Sequence, residues 1–198
     1  MGSSRSIVKR TTGFTLVELM IVVAISSILL TLAVPSLRSM VQRNQVDIVA
    51  QELSAALFYV RSEAVKLKMD VIMCVSNADG SDCESDAQKY NYANGWIIYM
   101  DCDDDGNYDQ LVRTCDLNGD GTNETTELLR VHENLDTNLT VTGNGNYVAE
   151  IGYMMNGRVK GVGGSLTVDL LSINQGNVST KKVVVANSGR IRTTTVPH

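Results

Sequence analysis

Between Asp101 and Glu127 the chain carries two runs of oxygen-bearing residues at spacings that suit a hard cation. Asp116, Asn118, Asp120, Thr122, Glu124 and Glu127 follow the calcium-loop pattern D-x-[DN]-x-[DN]-G-x5-E, with Gly121 at the turn and Glu127 in the closing, two-oxygen position. Calcium takes about six to eight oxygen ligands, and alternating carboxylates around a glycine turn can wrap one ion. Asp101, Asp103, Asp105 and Asp109 repeat the spacing around Gly106, but Val112 stands where the closing carboxylate belongs. No flanking helices are expected, so the pattern predicts an isolated structural calcium loop rather than an EF-hand domain, and no other cofactor is required. The same Asp, Gly and Asn residues also suit a solvated turn, and both readings stay open.

A second group is cationic. Arg190 and Arg192 flank Ile191 just after Gly189, with Lys181 and Lys182 upstream and a Thr-rich, mobile tail expected downstream. From Arg158 to His198 there are six bases and one acid, whereas Asp79 to Asp136 holds fifteen acids and three bases. Such asymmetry points to an anionic partner for one surface. Guanidinium groups suit phosphates, and a few phosphate contacts give weak, salt-sensitive, sequence-independent binding. The plainer reading is a charged strand edge that discourages pairing.

Four cysteines, Cys74, Cys83, Cys102 and Cys115, all lie beyond the apolar N-terminal segment. An even count in an exported domain reads as disulfides. Sequence order favours Cys74 with Cys83 and Cys102 with Cys115, although four cysteines formally allow three pairings. A zinc site is the competitor, and neither a CxxC pair nor a nearby His supports it. No Ser/His/Asp, Cys/His or phosphate-loop arrangement is present, and His132 and His198 are far apart, so no enzyme is expected.

The fourth group is at the start. Lys9-Arg10-Thr11-Thr12-Gly13-Phe14-Thr15-Leu16-Val17-Glu18-Leu19-Met20 runs into Ile21-Val22-Val23-Ala24-Ile25. Phe14 to Val34 is long enough for a bilayer-crossing helix, which takes ~20 residues, and Arg5, Lys9 and Arg10 form the positive flank that stays cytoplasmic. An acid inside such a segment is costly and seldom accidental. Unlike a secretory signal, whose cleavage site follows the apolar core, Gly13 precedes it, so cutting there leaves the helix attached.

This segment resembles the amino terminus of type IV pilin precursors, the subunits of pili and of type II secretion pseudopili. The resemblance implies a leader over 1–13, cleavage by a prepilin peptidase between Gly13 and Phe14, and methylation of the new Phe14 amine. It also implies that Glu18 pairs with the Phe14 amine of a neighbouring subunit during assembly, which relieves the burial of both charges. Losing the leader removes three bases and no acids, taking the formal charge from −5 to −8. Gly95-Trp96-Ile97-Ile98-Tyr99, an Asp/Gly loop, Leu128-Leu129-Arg130-Val131 and the ending Val183 to Arg192 are similar to the GspH/FimU/FimT group of minor pilins. The doubled acidic loop over Asp101–Glu127 departs from that group's pattern.

The elements that position these groups follow from periodicity. Pro35 is expected to kink the helix just past the apolar span. Beyond it, Val46, Leu53, Val60 and Leu67 recur every seven residues with Ala50, Leu57 and Ala64 between them, an apolar stripe on a helix reaching about Lys68. Runs rich in β-branched residues then predict strands at 70–74, 95–100, 127–131, 138–142, 150–154, 165–170 and 182–186. The expected fold class is α+β: a long kinked N-terminal helix, half membrane-spanning and half amphipathic, packed on an antiparallel β-sheet, the type IV pilin fold. The expected divisions are 1–13, 14–35 and 36–198.

The resemblance implies a minor type IV pilin that initiates or joins pilus assembly at the tip. Its partners would be major and minor pilins through the N-terminal helix, prepilin peptidase, and the inner membrane before the surface pilus. Two alternatives follow. A FimT-like minor pilin would bind DNA for uptake through Lys181, Lys182, Arg190 and Arg192. A GspH-like pseudopilin would serve type II secretion.

Overall fold

A computed structural model describes residues 14–102, 106–108, 127–135, 139–170 and 180–196, apart from the side chains of 32–36, 38, 39, 146 and 170. The described chain divides into two units, one through Val41 and one from Gln42.

Helix α1 (Leu16–Leu67) begins where Thr15 accepts at both of its oxygens: its hydroxyl takes the Glu18 N–H at 3.2 Å and its carbonyl the Leu19 N–H at 3.2 Å. Thr15 is thus the N-cap and Glu18 the third helical residue, where its charge suits the positive end of the helix dipole. Pro35 lies within the element and does not end it. The helix stops at Lys68, which takes a left-handed φ of 58°.

In the second unit the apolar stripe is the helix's buried face. Val46, Val49, Ala50, Leu53, Ala56, Leu57, Val60 and Ala64 are buried, and Leu67 packs at the margin. Burial of a side chain such as Leu53 or Leu57 contributes ~1.5–3 kcal/mol. Every buried apolar residue described lies at or beyond Val46, so this unit carries its own core.

The strands are β1 (Asp70–Val75), β2 (Trp96–Asp101), β3 (Leu128–His132), β4 (Leu139–Asn144), β5 (Glu150–Tyr153), β6 (Gly164–Leu170), β7 (Thr180–Val185) and β8 (Ile191–Val196). They form two antiparallel sheets rather than the expected one, in the orders β3-β2-β1-β5 and β4-β6-β7-β8. The chain changes sheets three times, between β3 and β4, between β4 and β5, and between β5 and β6. Strand-forming residues give each strand's position but not its pairing partner. Both sheets turn alternate apolar residues to the helix, including Met73, Trp96, Ile98, Val141, Val168 and Val183. A smaller cluster of Ile72, Cys74, Ile97 and Tyr99 covers the other face of the first sheet, against Cys83 and Tyr108.

The Thr-rich ending is not a mobile tail. It is strand β8, paired with β7 at six positions from Thr180↔Val196 to Val185↔Ile191. Consecutive threonines are strong strand formers because a branched Cβ packs well on a pleated surface. The β7–β8 turn needs Gly189, whose φ is +79° and whose missing Cβ would lie 2.1 Å from the Gly157 carbonyl oxygen.

Candidate functional site

In the first unit, the apolar residues from Phe14 to Leu30 point outward on every side of the helix, and Phe14 is 82% exposed. Exposed apolar surface of this kind marks a binding segment. The Ser27 and Thr31 hydroxyls donate to the Ala24 and Ile28 carbonyls at 2.8 and 2.7 Å, so both are satisfied inside the helix. Glu18 is exposed on the first turn, one turn from Phe14. Among the described residues, no helix is long and apolar enough to cross a membrane. Their apolar stretch ends at Thr31, because the side chains of 32–36 are not among them. Gly13 also lies outside the described residues.

The basic group is divided by the pleat. Lys181 does not join the others: its ammonium lies 2.9 Å from the Asp47 carboxylate on α1. Lys182 and Arg192 share the opposite, outward face of the second sheet, since Lys182 faces Thr194 and Val184 faces Arg192 in register. Thr142, Thr167, Lys182 and Thr194 form one cross-strand row on that face. Arg190 is exposed at the turn. Among the described residues no carboxylate pairs with Lys182, Arg190 or Arg192. The turn that presents them is held from α1 and β5. The Arg61 guanidinium donates to the Gly189 carbonyl at 3.1 Å, and the Tyr153 hydroxyl donates to the same oxygen at 3.4 Å. Burial raises the Tyr153 phenol above its ordinary range.

The acidic excursion is described only at its ends. Asp103, Asp105, Asp109, Asp116, Asn118, Asp120, Thr122 and Glu124 lie outside the described residues. Glu127 is fully buried; its Oε1 accepts the Cys102 N–H at 3.0 Å and its carbonyl accepts the Met100 N–H at 3.0 Å. No group of three or more potential metal-ligating side chains occurs among the described residues. Cys74 and Cys83 form a disulfide with Cα atoms 5.7 Å apart, as sequence order favoured. Cys102 is also disulfide-bonded, and Cys115 lies outside the described residues.

One cluster escaped the sequence reading. Asp70 and Asp101 are directly opposite on β1 and β2. The Lys160 ammonium bridges them, 3.2 Å from Asp70 Oδ2 and 3.0 Å from Asp101 Oδ2. Desolvation pulls the Lys160 pKa down, but the hydrogen bonds and charges of Asp101 and Asp70 outweigh it and leave it raised. Glu150, exposed on neighbouring β5, has its pKa raised by desolvation, with Asp101 adding to the rise and Lys160 partly offsetting it. The sequence signal was slight: an Asp opening one strand and an Asp closing the next.

Comparison with known proteins gives two family matches. The model for type II transport protein GspH matches residues 49–189, and that for the prokaryotic N-terminal methylation motif matches residues 8–34. The chain is similar in structure to the type IV minor pilin FimU of Pseudomonas aeruginosa (strain PAO1), with a TM-score of 0.50 and 19% identity over 76% of this chain and 89% of that one. The minor pseudopilin EpsH from the type 2 secretion system of Vibrio cholerae matches with a TM-score of 0.45 and 16% identity over 76% of this chain and 97% of that one. At these identities the likeness to FimU concerns the fold alone. A comparison with curated proteins finds no match.

Proposed function

We propose that this chain, which belongs to the GspH family, works as a minor pilin in a type IV pilus, a structural subunit rather than a catalyst. The methylation motif marks it as a pilus or pseudopilus subunit processed in the cell envelope. Cleavage after Gly13 would release the Phe14 amine at the head of α1, and methylation would keep it basic. That cation sits at the positive end of its own helix dipole, so it gains from a carboxylate brought by another subunit. Glu18, the single ionisable group between Phe14 and Thr31, is that carboxylate. Before assembly, Phe14 to Val34 would sit in the inner membrane. The observation that carries the reading is the apolar segment exposed all round its helix with one acid on its first turn.

The test is incorporation of Glu18→Ala into filaments. It is expected to insert in the membrane like the parent chain and to be depleted from sheared pili; undiminished incorporation would remove the charge-pair argument.

A second reading rests on Lys182 and Arg192 sharing one outward face without acidic partners among the described residues. Such a face suits the phosphates of DNA, as in a DNA-uptake pilin. Binding should be weak and salt-sensitive. The Lys182→Ala/Arg192→Ala chain should lose it, while Lys181→Ala, whose ammonium is held by Asp47, should retain it. No retention of DNA at low salt by the parent chain would reduce the pair to a sheet edge or subunit contact.

A further inference from the structure

Two hairpin turns of the second unit repeat one design. Met154-Met155-Asn156-Gly157-Arg158 and Ala186-Asn187-Ser188-Gly189-Arg190 close alike: the first residue's N–H donates to the arginine carbonyl, at 2.8 and 2.9 Å, and the glycine N–H donates back to the first residue's carbonyl at 2.8 Å. Both glycines are left-handed, at φ +74° and +79°, as this three-residue hairpin loop requires. The turns touch at these glycines, where a side chain on Gly189 would run into the Gly157 carbonyl. Arg61 of α1 reaches the same place: its guanidinium donates to the Gly189 carbonyl at 3.1 Å, and a Cβ on Gly157 would lie 3.3 Å from its Nε. One corner thus carries three arginines. Arg158 and Arg190 are exposed, and among the described residues no carboxylate pairs with any of the three. Exposed Met155 and Val65 stand beside them.

At the other end of β5, the face of the first sheet that turns away from α1 holds a cavity of about 350 Å³. Asp82, Glu84 and Glu150 give its wall carboxylates, Tyr90, Tyr99 and Tyr108 give it rings, and among the described residues no lysine or arginine lines it. Desolvation works against the charge on Glu150, and a cation seated beside it would offset that cost. Guanidinium groups both pair with carboxylates and stack on aromatic faces, so such walls suit arginine.

We propose that the arginine corner of one copy docks in the acidic, tyrosine-lined cavity of a second copy, with Arg158 and Arg190 meeting Glu84 and Glu150. The two patches are complementary in charge, and one copy cannot join its own. Arg158 lies level with Met154, four residues along from Glu150, or ~13 Å at ~3.3 Å per strand residue. Met155 and Val65 favour a protein partner over a nucleic acid: arginine, methionine and aromatic side chains are enriched at protein interfaces, whereas nucleic-acid faces are more polar. A contact between different patches of identical subunits does not pair off as a twofold dimer but repeats head to tail. It goes beyond the pairing of Glu18 with an amine and does not depend on it.

The experiment follows self-association of the full chain in detergent by sedimentation velocity, over a range of concentrations at low and high salt. The parent is expected to associate at low salt and to dissociate as salt screens the contact. Arg158→Glu/Arg190→Glu and Glu84→Lys/Glu150→Lys should each weaken association about tenfold or more, as losses of interfacial charge pairs do. Lys66→Ala, whose ammonium pairs with Glu63, should associate like the parent. Mixing the two charge-reversed chains should restore association, because each then meets the opposite charge, and a misfolded variant could not do so. Absence of salt-sensitive association in the parent would overturn the proposal, as would undiminished association of either variant alone. Failure of the mixture to associate would show that these two patches are not each other's partners. Binding of a DNA oligonucleotide through Arg158 and Arg190 by a parent chain that stays monomeric would give the corner to phosphates instead.

Discussion

Replacing Lys160 by Met tests whether the Asp70–Lys160–Asp101 bridge holds the first sheet together. Methionine keeps the length of the stem and removes the ammonium. Two carboxylates then face each other across β1 and β2, one of them wholly buried. Removing one partner of a buried ion pair costs ~3–5 kcal/mol. Lys160 is 38% exposed, and water screens part of that interaction, so we expect about 2–3 kcal/mol. For a chain of this size each kcal/mol moves the melting midpoint by ~2–4 °C, which gives a fall of about 4–12 °C in a calorimetric melt at neutral pH. Asp101→Asn should be far milder in the Lys160→Met background than in the parent, because the buried charge is then already unpaired. The pH dependence has a definite sign. The folded-state pKa of Lys160 is raised, so its contribution is complete below the unfolded value of ~10.4 and disappears as pH rises through the folded value. The parent should therefore lose its advantage over Lys160→Met at strongly alkaline pH. A midpoint change under about 1 °C at neutral pH, or strict additivity with Asp101→Asn, would refute the reasoning.

Two further perturbations probe other parts of the second unit. Gly189→Ala must place a methyl 2.1 Å from the Gly157 carbonyl oxygen at a φ of +79°, so a loss of roughly 1–3 kcal/mol in denaturant unfolding is expected; an unchanged midpoint would mean that the turn adjusts freely. Glu150→Gln should stabilise the chain at pH 7, because desolvation raises the folded pKa and ionisation works against the folded state. That gain should vanish below about pH 4, where the carboxyl is protonated in both states. An equal effect at both pH values would show that packing, not charge, decides it.

What could be read in the sequence was what local periodicity encodes. The seven-residue repeat of Val46, Leu53, Val60 and Leu67 marked the buried face of α1, and seven of the eight strands followed from runs of branched residues. Partnership between distant segments was not legible. Nothing in Leu139–Asn144 says that β4 joins β6 rather than its predecessor β3. The missed strand β8 was read as a tail because its exposed face is Thr and Arg, although its branched residues favour the pleat. Among the site residues, adjacency misled at Lys181 and Lys182. The pleat sends them to opposite faces, one to Asp47 and one outward. The lysine that bridges Asp70 and Asp101 is far from both in sequence, and no motif links the three.

The first unit poses a different problem, one that bears on the proposed assembly. Thr15, Ser27 and Thr31 all find hydrogen-bond partners within their own helix, so they can enter an apolar environment at little cost. Glu18 is different: its backbone N–H is capped by Thr15, but among the described residues nothing partners its carboxylate. The Glu18 carboxylate, the one side-chain charge between Phe14 and Thr31, is left to be answered from outside the helix. Water could answer it in an isolated chain, yet the apolar surface around it favours leaving water. On the proposed assembly, both demands would be met together when a second helix brings a cation to the first turn, and a Phe14 amine freed by cleavage would be such a cation. On that proposal the position of the acid matters more than its charge. A Glu moved one turn along α1 would keep the formal charge but would sit about 5.4 Å away from the head of the helix, beyond direct contact with an amine docked there.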